Sequence, residues 1–134
     1  MTLGRNLGRR KFIQLGLGAA ALPALGNAAW AQAYPSRPIT LVVFLPAGAI
    51  PDLIGRLIGD GLSQRLGQQF VIDNRAGAGG TLGTELAVNA PADGYTVVLG
   101  TTSTLAINET LYPRLAYKVE RDLAPVTLLA KGPF

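Results

Sequence analysis

The sequence contains no cysteine and no histidine among its 134 residues. Thiol nucleophiles, imidazole general bases and Cys/His metal sites are therefore excluded. Ser103 has no histidine to activate it and no surrounding G-x-S-x-G motif, so it is not predicted to be a nucleophile. The absence of cysteine fits an exported protein that does not depend on disulfide bonds. The sequence predicts neither an enzyme nor a bound cofactor.

An excess of charge is also missing from most of the chain. The formal net charge is +4, but four of the 12 basic residues lie within the first 11 positions. The remaining eight basic residues are balanced by eight acidic ones. This balanced part has no net charge that would draw it to nucleic acid or to anionic lipid. We therefore expect no nucleic-acid partner.

The amino-terminal segment has the pattern of an export signal. Basic residues at positions 9–11 precede an apolar stretch over 12–25, and small residues at 29–31 suit cleavage. The Arg-Arg-Lys-Phe-Ile order resembles a twin-arginine signal. A transmembrane anchor is the alternative, but it needs about 20 apolar residues, and Pro23 interrupts the run. We predict that residues 1–31 are removed and that no stable membrane insertion follows.

Short apolar runs alternate with segments of helical spacing along the rest of the chain. The predicted strands are residues 39–45, 70–72, 95–99 and 126–130. The predicted helices are residues 51–66, 81–90 and 105–111. Thr81 is predicted to cap the second helix, and residues 112–120 are predicted to be irregular. This β-loop-α alternation predicts an α/β fold, a parallel sheet with flanking helices.

A glycine-rich turn follows the second predicted strand. Gly77, Gly79 and Gly80 permit backbone torsions that side chains forbid, and the N–H groups of such a turn before a helix suit an anion. Neither nucleotide motif fits, because Leu82 replaces the last glycine of G-x-G-x-x-G and no lysine lies nearby. Taken alone, this stretch is more simply explained by a tight turn without any ligand.

Loops of small residues follow all three of the first predicted strands. Because the carboxyl ends of parallel strands meet at one edge of a sheet, we predict one anion-binding rim there. Amides and hydroxyls without a lysine suit a carboxylate better than a triphosphate. The predicted ligand-binding residues are Pro46, Ala47, Gly48, Ala49, Asp52, Ala78, Gly79, Gly80, Thr101, Thr102, Ser103 and Thr104.

Simpler roles remain open for some of these residues. Asp52 can interact with the helix dipole alone, and the hydroxyls over 101–104 can cap the following helix. Arg75 can attract carboxylates or can pair with Asp73 or Glu85 at the surface. Two alternatives to a binding function remain open. The chain can be a fragment of a nucleotide-using enzyme of Rossmann type, or a nonfunctional product of a shortened gene.

Several motifs occur in a recognisable order. They are Tyr34-Pro35-x-Arg37-Pro38-Ile39, the loop with Pro46, Gly48 and Asp52, Asn74-Arg75-x-Gly77-Ala78-Gly79-Gly80, Ala92-Asp93-Gly94-Tyr95-Thr96, and Ala106-Ile107-Asn108 with Leu111-Tyr112. Together they resemble the Bug/TctC family, the periplasmic substrate-binding receptors of tripartite tricarboxylate transporters. The resemblance implies a two-lobed, flytrap-like fold that closes on a small carboxylate, of di- or tricarboxylate or amino acid type. It also implies a periplasmic location, partner membrane subunits, and ligand capture by backbone N–H groups and hydroxyls, often through water.

The chain departs from this family in two ways. The first loop of the family usually reads Pro-Phe-Pro-Pro-Gly-Gly, whereas residues 44–49 lack two of these prolines and the second glycine. Pro51 also removes one N–H donor. Family members are more than twice as long, so we expect residues 32–124 to be the amino-terminal part of lobe 1 and residues 125–134 to start the crossover to lobe 2. We expect weak or no ligand binding by this chain alone.

Overall fold

The fold is built around a central strand. In the computed structural model, which describes residues 33–132, strand β1 (Ile39–Val43) lies between β2 (Phe70–Asn74) and β3 (Thr96–Leu99), and both neighbours run parallel to it. Every β1 residue except Thr40 is buried. A strand covered by neighbours at both edges and by helices on both faces needs such an apolar sequence. The predicted parallel sheet is confirmed.

Helix α1 (Ile50–Leu66) packs against one face of the sheet through its glycines. A Cβ on Gly55 would lie 3.3 Å from Val43 Cγ2, and a Cβ on Gly59 would lie 3.3 Å from a β2 side chain. The helix ends at Gly67, which adopts a left-handed conformation with φ of 69°. Glycine therefore weakens the helix but permits its close approach to the sheet.

Helix α2 (Thr81–Val88) covers the other face. Gly83 lies so close to the end of β1 that a Cβ on it would be 3.2 Å from Phe44 Cα, whereas α1 contacts Leu41 and Val43. Because alternate residues of a strand point to opposite faces, the two helices lie on opposite sides of the sheet. The sheet is flanked by helices as predicted.

The predicted boundaries differ from the observed ones by one or two residues. Strand β1 ends at Val43 rather than at residue 45, because its pairing stops where its partners end, at Asn74 and Leu99. Strand β2 ends at Asn74, two residues beyond the predicted end at residue 72. Helix α2 ends at Val88, two residues before the predicted end.

The chain after β3 forms short helical turns. A π-helical turn (Ser103–Ile107) leads into α3 (Asn108–Leu111), and α4 (Val119–Asp122) begins at the end of the segment predicted to be irregular, residues 112–120. The predicted strand over residues 126–130 is wrong, because no ladder partner lies beside it in the described part of the chain. Val126 is 83% exposed.

The predicted export signal, residues 1–31, lies outside the described residues. Within residues 33–132, no helix combines the length and the apolar character that crossing a bilayer requires.

Candidate functional site

Three loops meet at the edge of the sheet where the strands end. We define loop 1 as residues 44–49, loop 2 as residues 75–80 and loop 3 as residues 100–104. A Cβ on Gly80 of loop 2 would lie 2.5 Å from Thr104 Cγ2 of loop 3. The same Cβ would lie 2.7 Å from Cδ2 of the loop 1 aromatic ring. The three loops therefore adjoin, and only a glycine fits where they meet.

Loop 1 uses the amides of Gly48 and Ala49 in internal hydrogen bonds. The Ala49 N–H group donates to the Pro46 carbonyl at 3.2 Å. Gly48, with φ of 85°, donates its N–H group to Asp52 Oδ2 at 2.8 Å. Proline has no N–H group. Within residues 33–132, the Ala47 amide of this loop has no acceptor, and that residue is exposed.

The Asp52 side chain is buried under loop 1, with 1% of the residue exposed. Its Oδ2 accepts from the Gly48 amide and from Arg56 Nε at 3.0 Å, and its Oδ1 accepts from Asn74 Nδ2 at 3.1 Å. These bonds, that of Arg56 first, lower the pKa of Asp52 to about 2 against the opposing effect of burial. Both carboxylate oxygens are occupied, so Asp52 does more than complement a helix dipole.

Loop 2 runs through three consecutive left-handed residues. The φ angles are 47° at Ala78, 63° at Gly79 and 88° at Gly80. Gly80 N–H donates to the Gly77 carbonyl at 2.9 Å, and Thr81 Oγ1 donates to the Ala78 carbonyl. The predicted capping role of Thr81 is wrong, because Gly80 occupies the cap position and no side chain caps α2. In the described part of the chain, the exposed amides of Ala78 and Gly79 have no acceptor.

Loop 3 forms an internal hydrogen bond between Thr101 and Thr104. Thr104 Oγ1 accepts from the Thr101 amide at 3.0 Å, and Thr104 is fully buried. This bond does not support the capping alternative, because Thr104 lies within the helical turn and no side chain caps that turn. Thr102 and Ser103 are exposed, and their amides and hydroxyls have no partner among residues 33–132. The outer half of loop 3 therefore retains its donors.

Two buried side chains without a role in the sequence analysis hold loops 2 and 3 in place. Asn108 Nδ2 donates to the Gly79 carbonyl at 3.0 Å, and the Tyr117 hydroxyl donates to the Thr104 carbonyl at 3.1 Å. Asn108 is 3% exposed and Tyr117 is 1% exposed. Asn108 belongs to one of the motifs quoted above, but nothing in the segment predicted to be irregular distinguishes Tyr117 from Tyr112.

The cations near these loops are already paired. Arg75 Nε donates to both carboxylate oxygens of Asp73, at 2.9 and 3.0 Å, which favours the surface-pair alternative for this residue. Arg56 is paired with Asp52. No cluster of three acidic, histidine or cysteine residues that could hold a metal occurs in residues 33–132. An anion at this edge would be solvated by N–H and hydroxyl dipoles.

Comparison with known proteins decides the family. A sequence profile described as "Tripartite tricarboxylate transporter family receptor" matches residues 54–134. The chain belongs to this family. It is also 42% identical over 128 residues to the "UPF0065 protein in tcbD-tcbE intergenic region" of a Pseudomonas species, a match that covers 96% of this chain and 38% of that protein. The resemblance found in the sequence is confirmed, and the family consists of receptors rather than enzymes.

Solved structures confirm the fold. MatC from Rhodopseudomonas palustris, determined with bound malate, is 38% identical with a TM-score of 0.69. The match covers 72% of this chain and 33% of the MatC chain. A second R. palustris protein, determined with adipate, is 40% identical with a TM-score of 0.62, and this match covers 65% of this chain and 29% of that protein. The chain thus spans about a third of the length of the relatives it matches. Its α/β fold is part of the first lobe of a periplasmic binding protein.

Proposed function

We propose that the protein is a periplasmic, non-enzymatic receptor that binds a small carboxylate, of di- or tricarboxylate or amino acid type, for the membrane subunits of a tripartite tricarboxylate-type transporter. One observation carries this proposal: three adjoining loops at the carboxyl edge of the sheet present exposed amides without internal acceptors. The malate and adipate in the two relatives support the ligand class. Residues 1–31 would be its signal, 32–124 the amino-terminal part of lobe 1, and 125–134 the start of the crossover.

The proposed chemistry is carboxylate solvation by fixed dipoles. Hydrogen bonds from N–H groups to an ionised carboxylate are shorter and stronger than bonds between neutral groups. Ala78 and Gly79 present consecutive amides, and Ser103 adds an amide and a hydroxyl on the neighbouring loop. The buried Asn108 and Tyr117 hold these loops by their carbonyl groups, so the donors are positioned before a ligand arrives.

We expect the affinity of this chain alone to be weak. A small-ligand site usually buries about 70–90% of its ligand, whereas the three loops form one side of a binding site. Titration calorimetry with malate, adipate, citrate and glutamate should therefore show no micromolar binding. Nuclear magnetic resonance (NMR) titration of the amide spectrum with malate should show shifts at Ala78, Gly79 and Ser103. Micromolar binding would contradict the expected weakness, and an unchanged spectrum at these amides would contradict the site.

Replacing Ala78 by aspartate should weaken malate binding at least about fivefold, because a carboxylate beside the donors repels the ligand by about 1 kcal/mol or more. Aspartate and asparagine both tolerate the left-handed conformation of this residue. Ala78→Asn is therefore the matched control, and we expect it to bind malate within about threefold of the original chain, since it lacks the charge. Equal affinities for the two variants, measured by NMR titration, would exclude Ala78 from the site.

A further inference from the structure

The buried carboxylate of Asp52 joins three elements at the candidate site. It lies in the first turn of α1, accepts from the Gly48 amide of loop 1, and accepts from Asn74 at the end of β2. Arg56, one turn further along α1, supplies the third partner. A single side chain thus fixes the start of a helix, a loop and the end of a strand relative to one another.

Asn74 extends this connection to the backbone of loop 1. Its Nδ2 donates to the Leu45 carbonyl at 3.0 Å as well as to Asp52 Oδ1 at 3.1 Å. The next residue, Arg75, begins loop 2, and its amide donates to the Val43 carbonyl at 2.8 Å. The Asp52–Asn74 pair therefore lies where loops 1 and 2 leave the sheet, and it connects the two loops.

We propose that Asp52 is a positioning residue that holds loop 1 in its ligand-ready conformation and does not contact the ligand. With 1% of the residue exposed and both oxygens occupied, it could meet a ligand only by giving up bonds to loop 1, β2 or Arg56. Because glycine adopts positive and negative φ about equally readily, sterics alone do not fix the φ of 85° at Gly48, and the bond from its amide to Asp52 selects this conformation. The inference extends the proposed carboxylate site, but loop 1 can be examined without any ligand.

The test is amide hydrogen exchange of the full 134-residue chain, followed by NMR at Gly48. A hydrogen bond to a charged group is worth about 1.5–3 kcal/mol, so Asp52→Asn should lower the protection of the Gly48 amide roughly ten- to hundredfold. The amide of Val42, in the central strand, should keep its protection. Asp60→Asn is the matched control, because Asp60 lies two turns further along α1 and is exposed.

The pH profile separates positioning from general support of the fold. The charged group that faces Asp52 is Arg56 on the same helix, and the pKa of Arg56 is raised by Asp52 first and in turn by the charge of Asp60. The neighbouring elements contribute the neutral Asn74 side chain and the Gly48 amide. The Gly48 amide proton of the unmodified chain should shift on acidification with a midpoint near pH 2, following the lowered pKa of Asp52. Asp52 favours the folded state above pH 3.8, and this contribution is lost as the pH falls to about 2.

Malate provides an independent comparison. Asp52→Asn removes a negative charge and frees an N–H donor, so a purely electrostatic role predicts tighter malate binding, whereas positioning predicts binding weakened roughly tenfold. Unchanged protection at Gly48 together with no acid midpoint would overturn the proposal, and so would tighter malate binding by the variant. If Asp52→Asn does not fold, the pH titration of the unmodified chain gives the same decision. Loss of malate binding by every chain, with the Gly48 results as expected, would count against the carboxylate function alone.

Discussion

Replacing Tyr117 by alanine is expected to cause the largest loss of stability of any single change considered for this chain. Tyr117 is the largest fully buried side chain in residues 33–132, and its hydroxyl donates to the Thr104 carbonyl. Truncating a large buried aromatic residue typically costs about 3–5 kcal/mol. Because 1 kcal/mol corresponds to about 4–8 °C for a domain of this size, the melting temperature measured by circular dichroism should fall by more than about 12 °C.

Tyr117→Phe is the matched control for the hydrogen bond. The ring remains, so only the bond to the Thr104 carbonyl is lost, and we expect about 0.5–1.5 kcal/mol of destabilisation. The difference between the two variants then measures the packing of the ring. A melting temperature for Tyr117→Ala within about 4 °C of the unmodified chain would show that this residue does not anchor loop 3.

The second large effect is expected at Gly80. Alanine there would place a Cβ 2.5 Å from Thr104 Cγ2 and 2.7 Å from Phe44 Cδ2, in a residue with φ of 88°. The left-handed conformation costs alanine about 1–2 kcal/mol, and overpacking adds about 1–3 kcal/mol. We therefore expect Gly80→Ala to lower the free energy of unfolding in urea by about 2–5 kcal/mol, with an unchanged m-value.

Gly48→Ala separates the two causes of this effect. Gly48 has a similar φ of 85°, but a Cβ on it would meet nothing within 4 Å. Only the backbone term of about 1–2 kcal/mol should remain. Equal destabilisation by Gly48→Ala and Gly80→Ala in urea would contradict the close contact between loops 1, 2 and 3 at Gly80.

The central architecture was predictable because β1 and the glycines obey local rules. A nearly continuous apolar run over residues 39–45 indicates a strand buried on both faces, and helical spacing followed by Gly67 indicates a helix with a defined end. The order of strands and loops then predicted which edge of the sheet the three loops share. These inferences depend on short-range patterns that the sequence displays directly.

The supporting contacts of the site were not predictable in the same way. Whether Asp52 faces solvent or Asn74 depends on how α1 is placed against β2, and residues 22 positions apart show no mutual pattern. The burial of Tyr117 likewise depends on a turn through residues 112–118 that lacks periodicity. The donors consumed by internal bonds, such as the Gly48 amide, become known only when those distant groups are in place.

The position of β1 also has a consequence for the order in which the chain can fold. The first strand to be synthesised is the middle one of the sheet, and its partners come much later, since Leu41 pairs with Val97. Pairings between residues so far apart close slowly. The nascent chain therefore cannot pair β1 with β3 until Leu99 has left the ribosome, and until then that edge of β1 stays unpaired.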